Sequence, residues 1–481
     1  MNFRTALLAL ALAFPASRPA RALEAAAAKI DITPDLRSEK VLLAGYGPIG
    51  RRARGVHDRL HARLLVLRSG GTVVALASLE VLGVSRNDVL DLRHLSGFDA
   101  PGKSLFVSAV HTHSGPDTLG LWGPFPGVSG VNRAYHLRIK REIALALKIL
   151  EGQLQAVKAY GGRTLLDPRG LCRDSRDPQI LDPNLALLRL KRSDGETLAT
   201  VVNWSCHPTV LGWDNRLLSA DFPGPLCARV ESAAGGTCLF LNGLIGGHPV
   251  ADSKEATFEE VARIGEAVAE AALRMRATNG GETLSYRSET VRIPVENSRY
   301  RLFLPVLAFG HRLFGADGRP LRSWEKWTLA LRHALVGLSE RTQPWVESEV
   351  AVLDVGPARL LGIPGEAFPE LAIGGFDGRY SFGRPLIAPD NPAAPDLSKA
   401  PRGPYLRDRV RAPVPMLVGL ANDELGYLVP GYDFKVRANR LMLPRLPGHY
   451  DETNSIGPSA TRILIESAER LLQPPSSTVN R

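Results

Sequence analysis

The chain has 481 residues, a hydrophobic content of 44% and a formal net charge of +10. A chain of this length can bury a large core, and its hydrophobic content is typical of a globular protein. The basic residues are scattered, without the long basic blocks or interleaved aromatic residues that favour nucleic-acid binding. Composition therefore argues against a nucleic-acid partner and leaves open a transient contact with anionic membrane surfaces.

The first residues have the pattern of an export signal. Arg4 supplies a positive start, Ala6 to Pro15 form an apolar stretch, and Ala20 to Ala22 form a small-residue cleavage motif. The apolar stretch is shorter than the roughly 20 residues that cross a bilayer, which favours a cleaved signal peptide over a membrane anchor. We therefore expect residues 1–22 to be removed and the protein to be exported, either to a periplasm or to the outside.

Short apolar runs alternate with helical patterns through most of the chain, which predicts an α/β or mixed α+β fold with sheets flanked by helices. Turn residues between apolar runs predict two hairpins, His61–Leu67 with Thr72–Ser78 and Leu185–Leu190 with Leu198–Asn203. Apolar residues at helical spacing predict four helices, Arg133–Leu150, Glu255–Arg276, Trp324–Ser339 and Ser459–Leu472.

The domain organisation predicted by these patterns is one domain over residues 23–473 and a disordered tail over 474–481. The segment around 376–413 is rich in Pro, Gly, Asp and Arg, which indicates a long ordered insertion, with a flexible linker as the alternative. An exported protein can pair its cysteines, and the sequence does not choose among the three pairings of Cys172, Cys206, Cys227 and Cys238.

Four polar segments each follow an apolar, strand-like run. The first carries His111 and His113, and the later ones carry His207, Glu366 and Tyr427. Loops at strand ends converge in α/β sheets, so we expect these side chains to share one site. Two imidazoles and a carboxylate suit a catalytic Zn²⁺ with an open position for water. The alternative is that the histidines only satisfy turn hydrogen bonds and that Tyr427 packs.

The order of these segments resembles the catalytic domain of neutral, non-lysosomal ceramidases. Three further stretches are similar to segments of that family, namely Lys29–Pro34, Ser219–Gly224 and Tyr450–Thr453. The resemblance implies that residues 23–473 form a ceramidase-like catalytic domain. It also implies that the zinc ligands are His111, His207, Glu366 and Tyr427.

The same resemblance places His113, Arg173 and Tyr450 on positions that line the site and contact substrate. The Arg173 match depends on the stretch Cys172–Ser175, which lies upstream of Asp182–Asn184. His113 or Tyr450 is expected to stabilise a developing oxyanion.

One turn departs from the family pattern. Ceramidases carry a Gly-Asp-Val-Ser-Pro-like turn whose serine is regarded as the nucleophile, whereas this chain has Gly246-Gly247-His248-Pro249. A serine acyl-enzyme at this turn is therefore disfavoured, and metal-activated water is the expected nucleophile. His248 is interpreted either as an acid or base or as a structural loop histidine.

The expected function is that of an exported zinc-dependent hydrolase of amide bonds in N-acylated, lipid-like substrates, with His248 or Tyr427 as proton donor to the leaving amine. The sequence leaves two alternatives open: a catalytically silent, metal-containing relative that binds a lipid or glycan, and an esterase of the same fold. The apolar segment Leu302–Phe309 is interpreted either as a lipid-entry lip or as part of the core.

Overall fold

The computed structural model describes residues 22–436 and 448–473. The predicted tail, and all but the last residue of the predicted signal peptide, lie outside these ranges. None of the described helices is long and apolar enough to cross a membrane.

The helices of the described residues are α1 Arg86–Ser96, α2 Arg133–Glu151, α3 Pro223–Ala234, α4 Phe258–Leu273, α5 Ser298–Leu302, α6 Leu304–Gly310, α7 Ser323–Val336, α8 Pro369–Ile373, α9 Leu406–Arg409 and α10 Ser459–Leu472. The four helices predicted from periodicity are confirmed as α2, α4, α7 and α10, with ends that differ by at most three residues. Side-chain caps explain some of the starts: Asn132 accepts from the Tyr135 N–H, and Thr257 accepts from the Glu260 N–H.

The strands are β1 Glu24–Asp31, β2 Leu42–Leu43, β3 Arg51–Arg52, β4 Gly55–Val56, β5 His61–Ser69, β6 Thr72–Leu79, β7 Lys103–Ala109, β8 Gln155–Leu165, β9 Cys172–Asp174, β10 Asn184–Arg192, β11 Thr197–Trp204, β12 Leu217–Leu218, β13 Thr237–Asn242, β14 Pro249–Ala251, β15 Thr278–Asn279, β16 Leu284–Pro294, β17 Leu313–Phe314, β18 Trp345–Val355, β19 Ala358–Gly362, β20 Glu366–Ala367, β21 Val414–Val418 and β22 Tyr427–Leu428.

The larger sheet has the strand order β13-β11-β10-β8-β1-β5-β6-β7, with β15 paired to β8. The two predicted hairpins are confirmed as the antiparallel pairs β5–β6 and β10–β11. Both edges of the sheet are parallel: α1 connects β6 to β7, and α3 lies between β11 and β13. The loops that follow the carboxyl ends of the parallel strands β7, β11 and β13 can therefore carry a functional site.

The smaller sheet has the order β16-β18-β19-β21, with β17 paired to β18. One face of each sheet contributes to a shared apolar core, in which Phe106 and Leu188 of the larger sheet join Leu353 and Met416 of the smaller one. Helices α1 and α2 cover the outer face of the larger sheet, and α10 covers the smaller one. The mixed α/β fold class predicted from the sequence is therefore confirmed, as a stack of two sheets between helices.

The segment predicted as an insertion, residues 376–413, lies against the stretch that follows β9. The Gln179 N–H donates to the Leu386 carbonyl at 2.8 Å, and the Ala388 N–H donates to the Asp177 carboxylate at 2.9 Å. The four cysteines are buried free thiols in one apolar cluster, in which the side chains of Cys172 and Cys206 are neighbours, as are those of Cys227 and Cys238.

Candidate metal centre and substrate cavity

Two strand ends of the larger sheet bring His111 and His207 together. His111 follows β7 and His207 follows β11, and the buried Asn242 at the end of β13 ties the two ends to each other. Its amide donates to the carbonyls of Val110 and Cys206, both at 3.0 Å, and accepts from the Cys206 N–H at 3.2 Å. Val110 and Cys206 directly precede the two histidines. Asn242 therefore fixes the position of each imidazole relative to the other.

Backbone carbonyls fix the tautomers of both rings. His111 Nδ1 lies 2.8 Å from the Leu82 carbonyl oxygen, and His207 Nδ1 lies 3.2 Å from the Pro249 carbonyl oxygen. A carbonyl oxygen only accepts, so each Nδ1 carries the hydrogen and each Nε2 keeps its lone pair. His111 also has a left-handed backbone, with φ of 73°, which is uncommon outside glycine and is frequent at functional sites.

Glu366 reaches the same point from β20, a short strand that follows β19 and lies outside the smaller sheet. The parallel pair β20–β22 sets Glu366 beside Tyr427, and the Tyr427 hydroxyl hydrogen-bonds to the Glu366 carboxylate. Glu366 Oε2 lies 2.9 Å from His207 Nε2 and 3.6 Å from His111 Nε2. Two nitrogen lone pairs from strand ends of the larger sheet and one carboxylate oxygen from the pair β20–β22 therefore converge.

Burial sets the protonation of this cluster. It lowers the pKa of His111 to about 4 and the pKa of His207 to about 3, and it raises the pKa of Glu366. Neutral imidazole nitrogens that face a carboxylate oxygen need a shared proton or a cation between them. Two Nε2 donors with fixed tautomers and one carboxylate oxygen fit a divalent metal such as zinc, and the carbonyl partners of both Nδ1 atoms are the outer hydrogen bonds that such sites carry.

His113, which was predicted to contact substrate, also lies close to His111 and His207. One ring nitrogen of each of His111, His113 and His207 lies within 4.8 Å of the others. Within the described ranges, neither ring nitrogen of His113 has a hydrogen-bond partner, and burial lowers its pKa well below the usual range. The His113 ring has room there because residue 45 is glycine; a Cβ at this position would lie only 2.4 Å from the ring. His113 is therefore a further candidate nitrogen ligand as well as a candidate substrate contact.

His248 stands in the turn that departs from the ceramidase pattern. Its Nε2 lies 3.0 Å from the Tyr427 hydroxyl oxygen and its Nδ1 lies 3.1 Å from Asp451 Oδ1. Like His111, it has a left-handed backbone, with φ of 63°. The turn needs Gly246, because a Cβ there would lie 2.3 Å from the Glu366 carbonyl oxygen. The turn thus presents an imidazole, rather than a hydroxyl, between a buried carboxyl group and a phenol.

Of the remaining predicted residues, Tyr450 lines the cavity, whereas Arg173 does not. Arg173 lies in β9 with an exposed side chain, 3.8 Å from Asp252. Arg176, three residues later, is buried and lies 2.8 Å from Asp451 Oδ2. The family resemblance did not single out Arg176. Two arginines follow Cys172 within four residues, which was a signal that the match could be shifted along the chain.

A cavity of about 220 Å³ opens beside the cluster, lined by His111, His113, Glu366 and Tyr427 at one part of its wall. The rest of the wall is mostly apolar, and its apolar side chains include Leu119, Leu121, Trp122, Phe303, Val306 and Leu307. The segment Leu302–Phe309 contributes both to the cavity wall and to the core, since Phe303 is partly exposed on the wall and Leu304 is buried.

Two polar groups on this wall were missed from the sequence. His311 Nε2 lies 2.7 Å from Asp423 Oδ1, whereas its Nδ1 has no partner among the described residues. Glu424 is buried, and no described residue hydrogen-bonds to its Oε2; burial beside Glu366 raises its pKa well above the usual range. Asp423 and Glu424 belong to the sequence motif that ends at Tyr427, so that motif could have identified them. No sequence pattern pointed to His311.

Comparison with known proteins places this geometry in a family context. No family model matches the chain. A stretch of 219 residues is 24% identical to the neutral ceramidase of Mycobacterium tuberculosis (strain ATCC 25618 / H37Rv), covering 40% of this chain and 34% of that protein. The match thus spans about a third of the length of that relative.

Solved structures give wider coverage. The neutral ceramidase of Pseudomonas aeruginosa superposes with a TM-score of 0.65 and 16% sequence identity over 94% of this chain and 75% of the other. A ceramidase complexed with C2 superposes with a TM-score of 0.62 at the same identity and coverage.

The fold and the site define a mixed α/β protein with a buried histidine and carboxylate cluster at its strand ends, beside an apolar cavity. The fold implied by the predicted resemblance is confirmed: the chain has the neutral ceramidase fold, and part of its sequence is similar to a neutral ceramidase.

Proposed function

We propose that this protein is a zinc-dependent hydrolase of amide bonds in N-acylated, lipid-like substrates. The observation that carries the proposal is the convergence of His111 Nε2, His207 Nε2 and Glu366 Oε2 beside a mostly apolar cavity. The similarity to neutral ceramidases supports hydrolysis as the reaction class, and the C2 complex of a ceramidase supports a lipid-like ligand.

Zinc held by His111, His207 and Glu366, with Tyr427 or His113 as a further ligand, would supply Lewis acidity for an amide carbonyl and would make water more acidic. The residues themselves provide the rest. Carbonyl partners hold both Nδ1 atoms, so the two Nε2 atoms stay aimed at one point. The apolar wall excludes bulk water from the acyl group and strengthens electrostatic interactions at the polar end.

His248 is the proposed proton carrier. Asp451 Oδ1 faces its Nδ1 and favours a hydrogen there, so Nε2 keeps its lone pair, and the single hydrogen of the Tyr427 hydroxyl can be donated either to this Nε2 or to the Glu366 carboxylate. A proton gained at Nε2 can pass to a leaving amine, and Tyr427 O–H lies beside it as a second donor. Tyr450, whose ring centroid lies 5.5 Å from that of His248, closes the same side and is placed to contact substrate. This arrangement does not use a serine nucleophile.

Export is part of the proposal, supported by the signal-like pattern of residues 1–22. An exported enzyme with this site would meet lipid-like N-acyl substrates outside the cytosol.

The test compares matched N-acyl and O-acyl substrates with the same acyl chain, beginning with a short-chain N-acylsphingosine and its ester analogue. We expect fatty-acid release from the amide, and loss of at least about a hundredfold in rate in a His248→Ala variant that still binds metal. Release from the ester alone would make the protein an esterase. Binding of the amide without release from either substrate would identify a silent relative and would contradict the proposal.

A further inference from the structure

Helix α7 presents apolar side chains to solvent, which reverses the usual arrangement of a surface helix. Trp324, Trp327 and Leu331 are 61%, 65% and 62% exposed. Their spacing of three and four residues places them on one side of the helix. Ala330 and His333, on the other side, are buried. We refer to Trp324, Trp327 and Leu331 as the α7 stripe.

Such a stripe is costly to leave in water. A soluble protein rarely exposes contiguous large apolar groups, and where it does they usually mark a binding surface. Two tryptophans make a particular kind of surface, because the indole ring is apolar on its faces and carries one N–H donor. Tryptophan is accordingly enriched where a protein meets the headgroup region of a bilayer.

The segment around the α7 stripe is rich in basic residues. Residues 298–342 hold eight arginines and lysines against three acidic residues, in a chain whose formal net charge is +10. Asp317 and Glu325 are both paired with Arg319. Arg322 and Arg332 are exposed and form no ion pair within the described part of the chain. The surface therefore complements a negatively charged partner.

The same segment leads to the cavity. Helix α7 packs on α5 and α6, and Phe303 between those two helices lines the cavity with 44% of its surface exposed. Gly127 and Pro126 of the facing loop also line the cavity, and Gly127 packs against the Phe303 ring. Phe125, next to them, is 68% exposed. The apolar surface of this segment thus continues to the cavity wall.

We propose that the α7 stripe and its flanking arginines form a docking surface for an anionic lipid bilayer. The indole rings of Trp324 and Trp327 would lie at the headgroup level, and Arg322 and Arg332 would contact lipid phosphates. The interaction is peripheral, since the stripe covers one face of a single helix. It is also independent of catalysis: binding to the bilayer requires neither a metal nor turnover.

The experiment is flotation of the purified full chain with vesicles of phosphatidylcholine, with and without phosphatidylglycerol. We expect binding that is at least about tenfold tighter with phosphatidylglycerol and that weakens with added salt, because basic side chains near an anionic surface supply the attraction. The double variant Trp324→Ser/Trp327→Ser should lose at least about tenfold in affinity, because it removes the apolar anchors. Its matched control is Leu145→Gln/Ile149→Gln, a pair of exposed apolar residues on α2, which should bind as the wild type does.

A second measurement remains informative if the serine variant does not fold. Vesicles with brominated acyl chains should quench the tryptophan fluorescence of the wild type, and Trp324→Phe/Trp327→Phe should bind vesicles but show reduced quenching, because it removes two of the six tryptophans. Equal binding to both kinds of vesicle, unchanged quenching in the phenylalanine variant, or equal loss in the α2 control would overturn the proposal. So would a wild type that ignores vesicles and dimerises through Trp324 and Trp327, which would assign the stripe to a second copy of the chain.

Discussion

His207 Nε2 lies 2.9 Å from Glu366 Oε2, and both side chains are buried. Their order in the chain gives no hint of this contact, since 159 residues separate them. The pair joins the larger sheet to β20, the short strand that follows β19, and His111 Nε2 approaches the same carboxylate oxygen. The predicted metal site therefore combines strand ends of the larger sheet with the separate two-stranded pair β20–β22.

Metal addition should stabilise the fold through this pair. Zinc at a thousandfold excess over its Kd is expected to add about 4 kcal/mol to the free energy of unfolding, because it binds the folded state. Glu366→Gln should remove most of this gain, which thermal unfolding with and without zinc would measure. Glu370→Gln is the matched control: Glu370 is also a buried carboxyl group, but it contacts Tyr432 instead of the histidines. Equal gains in both variants would count against Glu366 as a ligand.

Asn242 should be needed for the site more than for the fold. Asn242→Ala removes the bonds to Val110 and Cys206 and should weaken metal affinity by roughly ten- to a hundredfold, as expected for residues that orient ligands. Asn203→Ala removes comparable buried bonds, to the carbonyls of Leu241 and Leu417, and should leave metal affinity unchanged. Competition with a fluorescent chelator would measure both. The reverse order of effects would reject the positioning role.

Asp451 should affect turnover without affecting metal content. Asp451→Asn removes the carboxylate charge that faces His248 Nδ1 and is expected to lower kcat by about a hundredfold, with little change in KM. Glu452→Gln is the control, because Glu452 also pairs with Arg176 but makes no contact with His248 among the described residues. Steady-state kinetics on one amide substrate would decide. A larger effect on kcat in Glu452→Gln than in Asp451→Asn would remove His248 from the mechanism.

Acid should unfold the protein partly through Glu349. This β18 carboxylate is paired with Arg86 and Arg93 of α1. Burial raises its pKa, but the hydrogen bonds and charges of Arg93, Arg86 and Tyr286 together outweigh that cost, so the pKa is about 2 instead of 4.5. The pKa is depressed, so the stabilisation is present above pH 4.5 and is lost as the pH falls toward 2. Its size is roughly 3 kcal/mol. Glu349→Gln should therefore flatten the acid limb of a plot of unfolding free energy against pH. An unchanged limb would show that other carboxylates control it.

Local patterns were sufficient for the elements that carry strong periodicity. Helix α2 and the hairpin β5–β6 follow from apolar spacing and from the Gly-containing turn, because those signals are local. The polar helix α1 gave no clear pattern and was not predicted, and neither were the parallel pairings β6–β7 and β11–β13. Parallel neighbours are set by the packing of the crossover helix, which a sequence pattern does not encode.

The site divides in the same way. The predicted residues His111, His207, Glu366 and Tyr427 each follow a strand and do meet, because strand ends converge. The partners that position them were not predicted: Asn242 acts across three strands, and Asp423 holds His311 from a loop 112 residues away. Their roles depend on side-chain directions in the folded protein. Arg173 shows the same limit, since a shift of three residues separates the exposed arginine from buried Arg176.

We propose that one metal centre, built on His207, performs amide hydrolysis. The most direct measurement is zinc content and fatty-acid release from a short-chain N-acylsphingosine, determined on the same samples of wild type, His207→Ala and the exposed-histidine control His94→Ala. We expect about one zinc per chain and amide hydrolysis in wild type and control, with both lost in a folded His207→Ala variant. Retention of stoichiometric zinc and full hydrolytic rate in His207→Ala would contradict it.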